Sequence, residues 1–198
     1  MTPKEQLLLA VNHITSEEEM TEVVRKYILH GLPVVFEDRE NDYFEFRNTI
    51  AKYFNIGFHE VFIVGSAKLG YSYHKDSVFS MESDIDVVIV CENLFDDFYD
   101  QICEFQYTID KGRFVLNQYE KDRYNQFLYY MAKGWIRPDK IPERFKLKRL
   151  KNEWFSFFKS ISYGKSSVGD YKVSGGLFKN YKFLERYYAS SLISIKKL

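Results

Sequence analysis

The most constraining feature of the sequence is an apolar run that begins with two carboxylates. Residues 84–91 read Asp-Ile-Asp-Val-Val-Ile-Val-Cys, which is typical of a buried β-strand. Side chains alternate along a strand, so Asp84 and Asp86 share one face, with Cα atoms ~6.6 Å apart at a rise of ~3.3 Å per residue. Burying such a pair without a counterion is unfavourable, so a buried pair calls for a divalent cation or basic partners. Taken alone, however, Asp-x-Asp is a common pattern, and an exposed strand end with two solvated carboxylates explains it better.

A second strand signal lies upstream and ends in Gly65-Ser66. Residues 61–64 are Val-Phe-Ile-Val, a short run rich in β-branched side chains. A glycine lets backbone amides approach a phosphate, a following helix N-terminus favours negative charge, and a serine hydroxyl can donate to a phosphate oxygen. Gly-Ser alone equally fits a plain turn, but strand, Gly-Ser, loop and Asp-x-Asp strand together form a more specific pattern.

This joint pattern resembles the nucleotidyltransferase superfamily of the DNA polymerase beta type, in which a small stand-alone member of bacterial type fits best. The family has an apolar strand, Gly-Ser or Gly-Gly, a short helix, and then aspartates alternating with apolar residues. The segments FIVGSAKLGYS and SDIDVVIV match it. The resemblance is tight over residues 61–91 and only architectural elsewhere.

The resemblance implies transfer of a nucleoside monophosphate from a nucleoside triphosphate to a hydroxyl, with release of pyrophosphate. Gly65, Ser66 and Ser83 would bind the nucleotide, and ATP is among the candidates. Asp84 and Asp86 would be catalytic and would hold Mg²⁺ or Mn²⁺.

The sequence departs from the family pattern in two places. Seventeen residues separate Ser66 from Asp84, and the extra segment at residues 73–80 is either a loop over the site or an ordinary loop. His74 and Lys75 lie in that segment.

The third carboxylate that the family places on a later strand is the second departure. Asp170 precedes a short apparent strand at residues 171–174 and is the first candidate, as a general base or second-metal ligand. A plain turn aspartate after Gly169 explains it equally well. The weaker alternatives are Asp110, Glu120 and Glu153.

The remaining pattern predicts an α+β fold with a small mixed sheet and additional N- and C-terminal helices, within one domain over residues 1–198. Residues 1–57 would be helical, 58–111 would be the core, and 112–198 would be basic and mainly helical. The predicted helices span residues 4–13, 16–30, 42–54, 94–108, 115–133, 143–160 and 177–196. In the helix over 143–160, an apolar stripe that includes Phe155 and Phe158 is expected to face the core.

Charge is distributed unevenly along the chain. Residues 1–100 carry 8 Lys and Arg against 19 Asp and Glu, whereas residues 101–198 carry 20 against 9. The asymmetry fits either an anionic partner of the C-terminal half or two faces that attract each other within the fold. It leans towards a macromolecular acceptor, RNA or protein, over a small molecule. Toxin–antitoxin systems and phage defence are plausible settings for such a transferase.

Several other classes are disfavoured by the sequence. It has no P-loop, no dinucleotide fingerprint, no Gly-x-Ser-x-Gly and no zinc spacing among its four histidines and two cysteines. No run approaches a membrane span and no disulfide pattern is visible, so a cytoplasmic protein without a membrane partner is expected. Two alternatives stay open: a catalytically degenerate member that binds a nucleotide or a partner, and an Asp-x-Asp glycosyltransferase.

Overall fold

The computed structural model describes residues 3–73, 75, 77–142, 144–145 and 147–196, and the α+β prediction is confirmed. The helices are α1 Pro3–Asn12, α2 Glu17–Val23, α3 Glu40–Phe54, α4 Gly65–Leu69, α5 Glu92–Asp110, α6 Gln118–Ala132, α7 Trp154–Ser160 and α8 Tyr181–Lys196. The strands are β1 Val61–Val64, β2 Tyr71–Ser72, β3 Ser77–Val78, β4 Ile85–Val90, β5 Trp135–Ile136 and β6 Val173–Phe178. In the described part of the chain, no helix is long and apolar enough to cross a membrane.

Four strands form one mixed sheet in the order β1-β4-β6-β5, while β2 and β3 form a separate hairpin. The strand β4 is antiparallel to β1 and parallel to β6, and β5 is antiparallel to β6. Asp86 lies opposite Val64 on one side and opposite Ser174 on the other. Because β4 has a neighbour on each side, the position of its first residues is fixed by two strand pairings.

Both faces of the sheet are buried, which explains why β4 is apolar at successive positions. Ile85, Val87 and Ile89 belong to a large core with α3, α5, α6 and α7. Val88 and Val90 belong to a second core with α1, α2 and α8. Because side chains alternate, Asp86 is on the face of Val88 and Val90, where the sheet is covered by α8 and the N-terminal helices.

The N-terminal helices begin and end where the sequence predicts. Ser16 Oγ accepts from Glu19 N at 3.1 Å, and a Glu19 carboxylate oxygen accepts from Ser16 N at 3.3 Å, so a capping box starts the helix where the sequence predicts one from residue 16. After α2 the chain continues as a π-helical segment, Val24–Leu29. His30 and Gly31 then end it, with Gly31 at φ +77°.

The prediction that the last helix begins at residue 177, directly after Gly175 and Gly176, is wrong. Both glycines lie within β6, and α8 begins only at Tyr181. A Cβ at Gly175 would lie 2.2 Å from the Phe158 ring, and one at Gly176 would lie 2.6 Å from Nε1 of Trp135. These glycines therefore make room for aromatic side chains that cross the strand on opposite faces, and they do not mark a turn.

The basic segment after Pro142 is less helical than predicted. Phe145 and Leu147 are not helical, and a π-helical segment, Lys148–Glu153, leads into α7. Glu143 and Lys146 lie outside the described residues. The assignment of Phe155 to the core is also wrong, because Phe155 is 42% exposed whereas Phe157 is 5% exposed.

We expect Gly175→Ala to lower the free energy of unfolding by about 1–3 kcal/mol, because Phe158 is itself buried and has to move. Chemical denaturation would measure the change. In the Phe158→Ala background the obstacle is gone, so Gly175→Ala should then cost less than about 0.5 kcal/mol. Equal costs in both backgrounds would show that the clash is not the cause.

Candidate functional site

The two parts of the sequence motif meet at one end of the sheet. Gly65 follows the last residue of β1, and Asp86 lies near the start of the antiparallel strand β4, directly opposite Val64. Asp84 immediately precedes β4. An antiparallel pair brings the end of one strand beside the start of the next, so the topology places Gly65 next to the carboxylates.

Gly65 is required at its position by both conformation and space. Its φ is +66°, in the left-handed region that favours glycine. A Cβ at Gly65 would lie 2.9 Å from Oδ2 of Asp86, closer than carbon and oxygen normally approach. The Asp86 carboxylate therefore occupies the space that a side chain at residue 65 would need.

Several neighbouring groups and its own burial act on the carboxyl group of Asp86. Solvent reaches its side chain, yet protein atoms surround it on most sides, and this burial raises the pKa of its carboxyl. Ser174 Oγ donates to Oδ1 of Asp86 at 3.2 Å and lowers that pKa, while the adjacent Asp84 raises it. Arg137 and Lys75 lower it further, so two cations also act on this carboxylate.

Asp84 has a different partner on the neighbouring strand. Lys172 Nζ donates to Oδ2 of Asp84 at 2.9 Å, and the contact raises the pKa of Lys172. Both side chains are about half exposed, at 54% for Lys172 and 46% for Asp84. The amide of Ile85 bonds to the carbonyl of Lys172 at 2.8 Å, which holds the two chain segments side by side.

Arg137 is held near the site by an aromatic support. Its guanidinium lies 4.9 Å from the ring centroids of both Tyr130 and Trp135, and it donates to the two carboxylate oxygens of Asp139. It follows β5 directly and shares the face of Trp135, which belongs to the second core. This support orients a cation towards the side of the sheet that carries Asp86.

The serines predicted to bind nucleotide are placed differently. Ser66 is half-buried in the first turn of α4, next to Gly65. Ser83 Oγ accepts from the amide of Ser80 at 3.0 Å, so it shapes the turn that leads into Asp84. Lys75 belongs to the β2–β3 hairpin, which corresponds to the predicted extra segment; His74 lies outside the described residues.

Among the residues that the structure describes, no third acid joins Asp84 and Asp86. Asp170 is exposed in the loop before β6. Asp110 accepts from Gln106 at the end of α5, and Glu120 is paired with Arg144 at 2.6 Å. Glu153 lies in the helical segment before α7. In the described residues, no three His, Cys, Asp or Glu side chains are close enough to hold a metal together.

Two carboxylates nevertheless fit one hard divalent cation. Mg²⁺ is commonly held by one or two carboxylates, with water and substrate phosphates as its other ligands. Asp84 and Asp86 supply such oxygens on adjacent positions of one face. Mutual repulsion of these carboxylates contributes to the raised pKa of Asp86, which is a condition that a bound cation would relieve.

Sequence reasoning missed three residues of this site: Lys172, Ser174 and Arg137. The first two lie within the predicted strand at residues 171–174, but no local signal indicates that this strand pairs with β4 beside the two aspartates. Arg137 has no local signal, because its place depends on the short strand β5. Comparison with protein-family models, curated proteins and solved structures finds no match to this chain.

Lys68 anchors the short helix that starts at Gly65. Its side chain is buried, and Nζ donates to the carbonyls of His30 and Gly31, the latter at 2.7 Å. Burial lowers the pKa of Lys68 from 10.5 to about 8. The end of the N-terminal helical segment is thereby tied to the Gly-Ser turn through a desolvated amine.

This burial predicts a pH dependence of stability. Between about pH 8 and 10.5 the unfolded chain keeps the Lys68 proton that the folded chain releases, so stability rises with pH in this window. As the pH rises from about 8 to 10.5, the free energy of unfolding of the wild type should therefore increase by roughly 3 kcal/mol relative to that of Lys68→Met. Denaturation at a series of pH values measures the difference. If the difference in free energy of unfolding between the wild type and Lys68→Met does not change with pH, the lowered pKa of Lys68 is contradicted. Lys159→Met, at an exposed lysine, provides the matched control.

A second prediction concerns Asp86 itself. Because its folded pKa is raised, the ionised carboxylate disfavours the fold at neutral pH, and Asp86→Asn should raise the melting temperature by about 2 °C without added metal. The gain should vanish at pH values low enough to protonate Asp86 in both folded and unfolded chains. Asp84→Asn, which breaks a half-exposed ion pair, should change the melting temperature little. A lower melting temperature for Asp86→Asn would refute the assignment.

Proposed function

We propose that this protein is a metal-dependent nucleotidyltransferase. The observation that carries the proposal is the close approach of the Asp86 carboxylate to Gly65, where only a residue without a Cβ fits, with Asp84 beside it. A glycine turn opening a helix suits phosphate, and two adjacent carboxylates suit a divalent cation. Side by side, they suit a triphosphate bound together with its metal.

Each residue then has a distinct role. Asp84 and Asp86 hold Mg²⁺ or Mn²⁺, which when bound supplies positive charge against the phosphate oxygens. The backbone at Gly65 and the Ser66 hydroxyl contact the triphosphate. Arg137 and Lys75, which already act on Asp86, contribute further positive charge towards the phosphates.

The reaction is an in-line displacement at the α-phosphorus. The acceptor hydroxyl oxygen forms the new bond to phosphorus, and the bond from phosphorus to the α–β bridging oxygen breaks. Pyrophosphate leaves with that electron pair, and the hydroxyl proton passes to water. The site thus works mainly by positioning and charge stabilisation.

The surface of α6 favours RNA as the acceptor. Tyr119 and Tyr129 are 67% and 57% exposed, and each has a cation four residues later, on the same side of the helix. Arg123 lies 5.9 Å from the Tyr119 ring and Lys133 lies 4.3 Å from the Tyr129 ring. Exposed rings beside cations are suited to stacking bases and contacting phosphates.

A degenerate nucleotide-binding protein is the second candidate. It is favoured by the ion pair between Asp84 and Lys172 and by the lack of a third acid near Asp84 and Asp86 among the described residues. This candidate predicts nucleotide binding that depends on metal, without transfer. The glycosyltransferase alternative gains no support from these contacts, because it gives Gly65 no role.

The test supplies each α-³²P-labelled nucleoside triphosphate with Mg²⁺ or Mn²⁺, with and without total RNA or cellular protein. We expect label in an RNase-sensitive product. Asp84→Ala/Asp86→Ala should reduce it at least about 100-fold, and Gly65→Ala should reduce it because its Cβ displaces Asp86. Asp100→Ala, at an exposed acid of α5, should keep the wild-type rate.

The outcomes separate the candidates. Label in protein alone would replace RNA by a protein hydroxyl as the acceptor. Metal-dependent binding without label in any fraction would favour the degenerate protein. Absence of triphosphate binding in calorimetry would refute the site built on Gly65, Asp84 and Asp86.

A further inference from the structure

A lysine just before β6 and a serine within β6 face the two aspartates. Parallel pairing puts Ser174 opposite Asp86, and Lys172 lies one alternation earlier, beside Asp84. Both reach across to the acids: Lys172 Nζ to Asp84 at 2.9 Å and Ser174 Oγ to Asp86 at 3.2 Å. The strand beside the carboxylate pair therefore contributes one positive charge and one hydroxyl.

We propose that this site takes a single divalent cation and that Lys172 supplies the second positive charge. The inference rests on the proposed function and deepens it. Lys172 leaves Asp84 when metal and triphosphate bind, and its ammonium then contacts a phosphate oxygen. Lys172 is thus a built-in counterion of the substrate.

The supply of ligands supports one cation. A pair of ions ~3.5–4 Å apart needs carboxylates that bridge them and further ones that complete each shell. No third His, Cys, Asp or Glu joins Asp84 and Asp86 in the described ranges. Ser174 offers only a neutral hydroxyl, which already donates to Asp86.

The charge balance supports Lys172 as the replacement. An ammonium beside Asp84 already neutralises one carboxylate, and it stays close to the site when it leaves Asp84, so a second divalent ion would be repelled by this positive charge. Lysine is a compact point charge with three donors, which suits a phosphate oxygen. Arg137 is less free to take this role, because Asp139 engages its guanidinium through two hydrogen bonds.

The exposure of the ion pair allows the exchange. Lys172 is 54% exposed and Asp84 46% exposed, and pairs of this kind contribute little to stability. Opening the contact therefore costs little. The hydrogen bond from the Ile85 amide holds the backbone of Lys172 in place. The side chain can therefore change rotamer while the Cα atom of Lys172 stays at the site.

The test counts Mn²⁺ by electron paramagnetic resonance and equilibrium dialysis, with each α,β-methylene nucleoside triphosphate as a non-reacting probe. The wild type should bind one Mn²⁺ per chain at saturation with the triphosphate. Ser174→Asp places a third carboxylate opposite Asp86, and it should raise the count to two. Two ions on the wild type would overturn the inference.

Substitutions of Lys172 test its role separately. Without nucleotide, Lys172→Gln should bind Mn²⁺ several-fold more tightly, because Asp84 no longer has a competing cation. The same variant should bind the triphosphate about tenfold more weakly, the loss of one charge-assisted contact. Lys172→Arg should restore triphosphate affinity, and Lys159→Gln, on α7 against the opposite face of the sheet, should change neither affinity.

Opposite shifts in the two affinities are not expected from a purely structural role. If both affinities of Lys172→Gln equal those of the wild type, Lys172 has no such function and the inference fails. If the wild type binds one Mn²⁺ but performs no transfer, the inference about the cation stands and the proposed activity fails. If no triphosphate brings any Mn²⁺ to the protein, both are refuted.

Discussion

The central position of β4 is the constraint on which the rest of the structure depends. The strand pairs with β1 on one side and β6 on the other, and its apolar side chains contribute to a core on each face of the sheet. A segment held in this way cannot slip by one residue without exchanging its two buried faces. Its register is therefore fixed, and with it the direction of Asp86. The acids lie at the end where the burial stops, so a rigid strand presents them to solvent.

The same end of the sheet concentrates groups that the fold alone would not favour. Asp86 is an ionised group in dense surroundings, beside another carboxylate, and Gly65 has a backbone conformation that other residues rarely adopt. Nearby hydroxyl and ammonium groups offset part of this cost without removing it. Local features that conflict with stability and lie together in one place are typical of functional sites. This argument supports a ligand at the site independently of any resemblance.

Local sequence signals predicted β1, β4 and the start of the helix at residue 16, because each depends on residues close together in the chain. Ser16 and Glu19 satisfy one another within a single helical turn, and the apolar alternation of β4 is complete in itself. The strand β6 could not be predicted in full, because Gly175 and Gly176 normally indicate a break. They lie within a strand here because the side chains of Phe158 and Trp135, which come from other parts of the chain, fill the space that a Cβ at each glycine would need.

In the candidate site too, the residues within contiguous motifs could be predicted, whereas those brought in by distant strand pairing could not. Gly65, Asp84 and Asp86 belong to contiguous motifs, whereas Lys172 and Ser174 reach the acids through a parallel pairing that follows a crossover of more than eighty residues. Asp170 was the nearest acid to that strand in sequence. It precedes the first paired residue of β6 by three positions, and so the register instead places Ser174 opposite Asp86.

The uneven charge of the chain is partly resolved by the fold itself. In the described part of the chain, ion pairs that join a lysine of the basic half to an aspartate of the acidic half include Lys172 with Asp84 and Lys179 with Asp96. Other pairs do not follow this rule. Arg144 pairs with Glu120 inside the basic half. The pair of Arg25 with Glu185 joins a cation of the acidic half to an acid of the basic half. Attraction between the halves therefore offsets part of the excess of eleven charges on each side. What remains on the C-terminal half is available to an anionic partner, and the exposed tyrosine and cation pairs of α6 lie within that half.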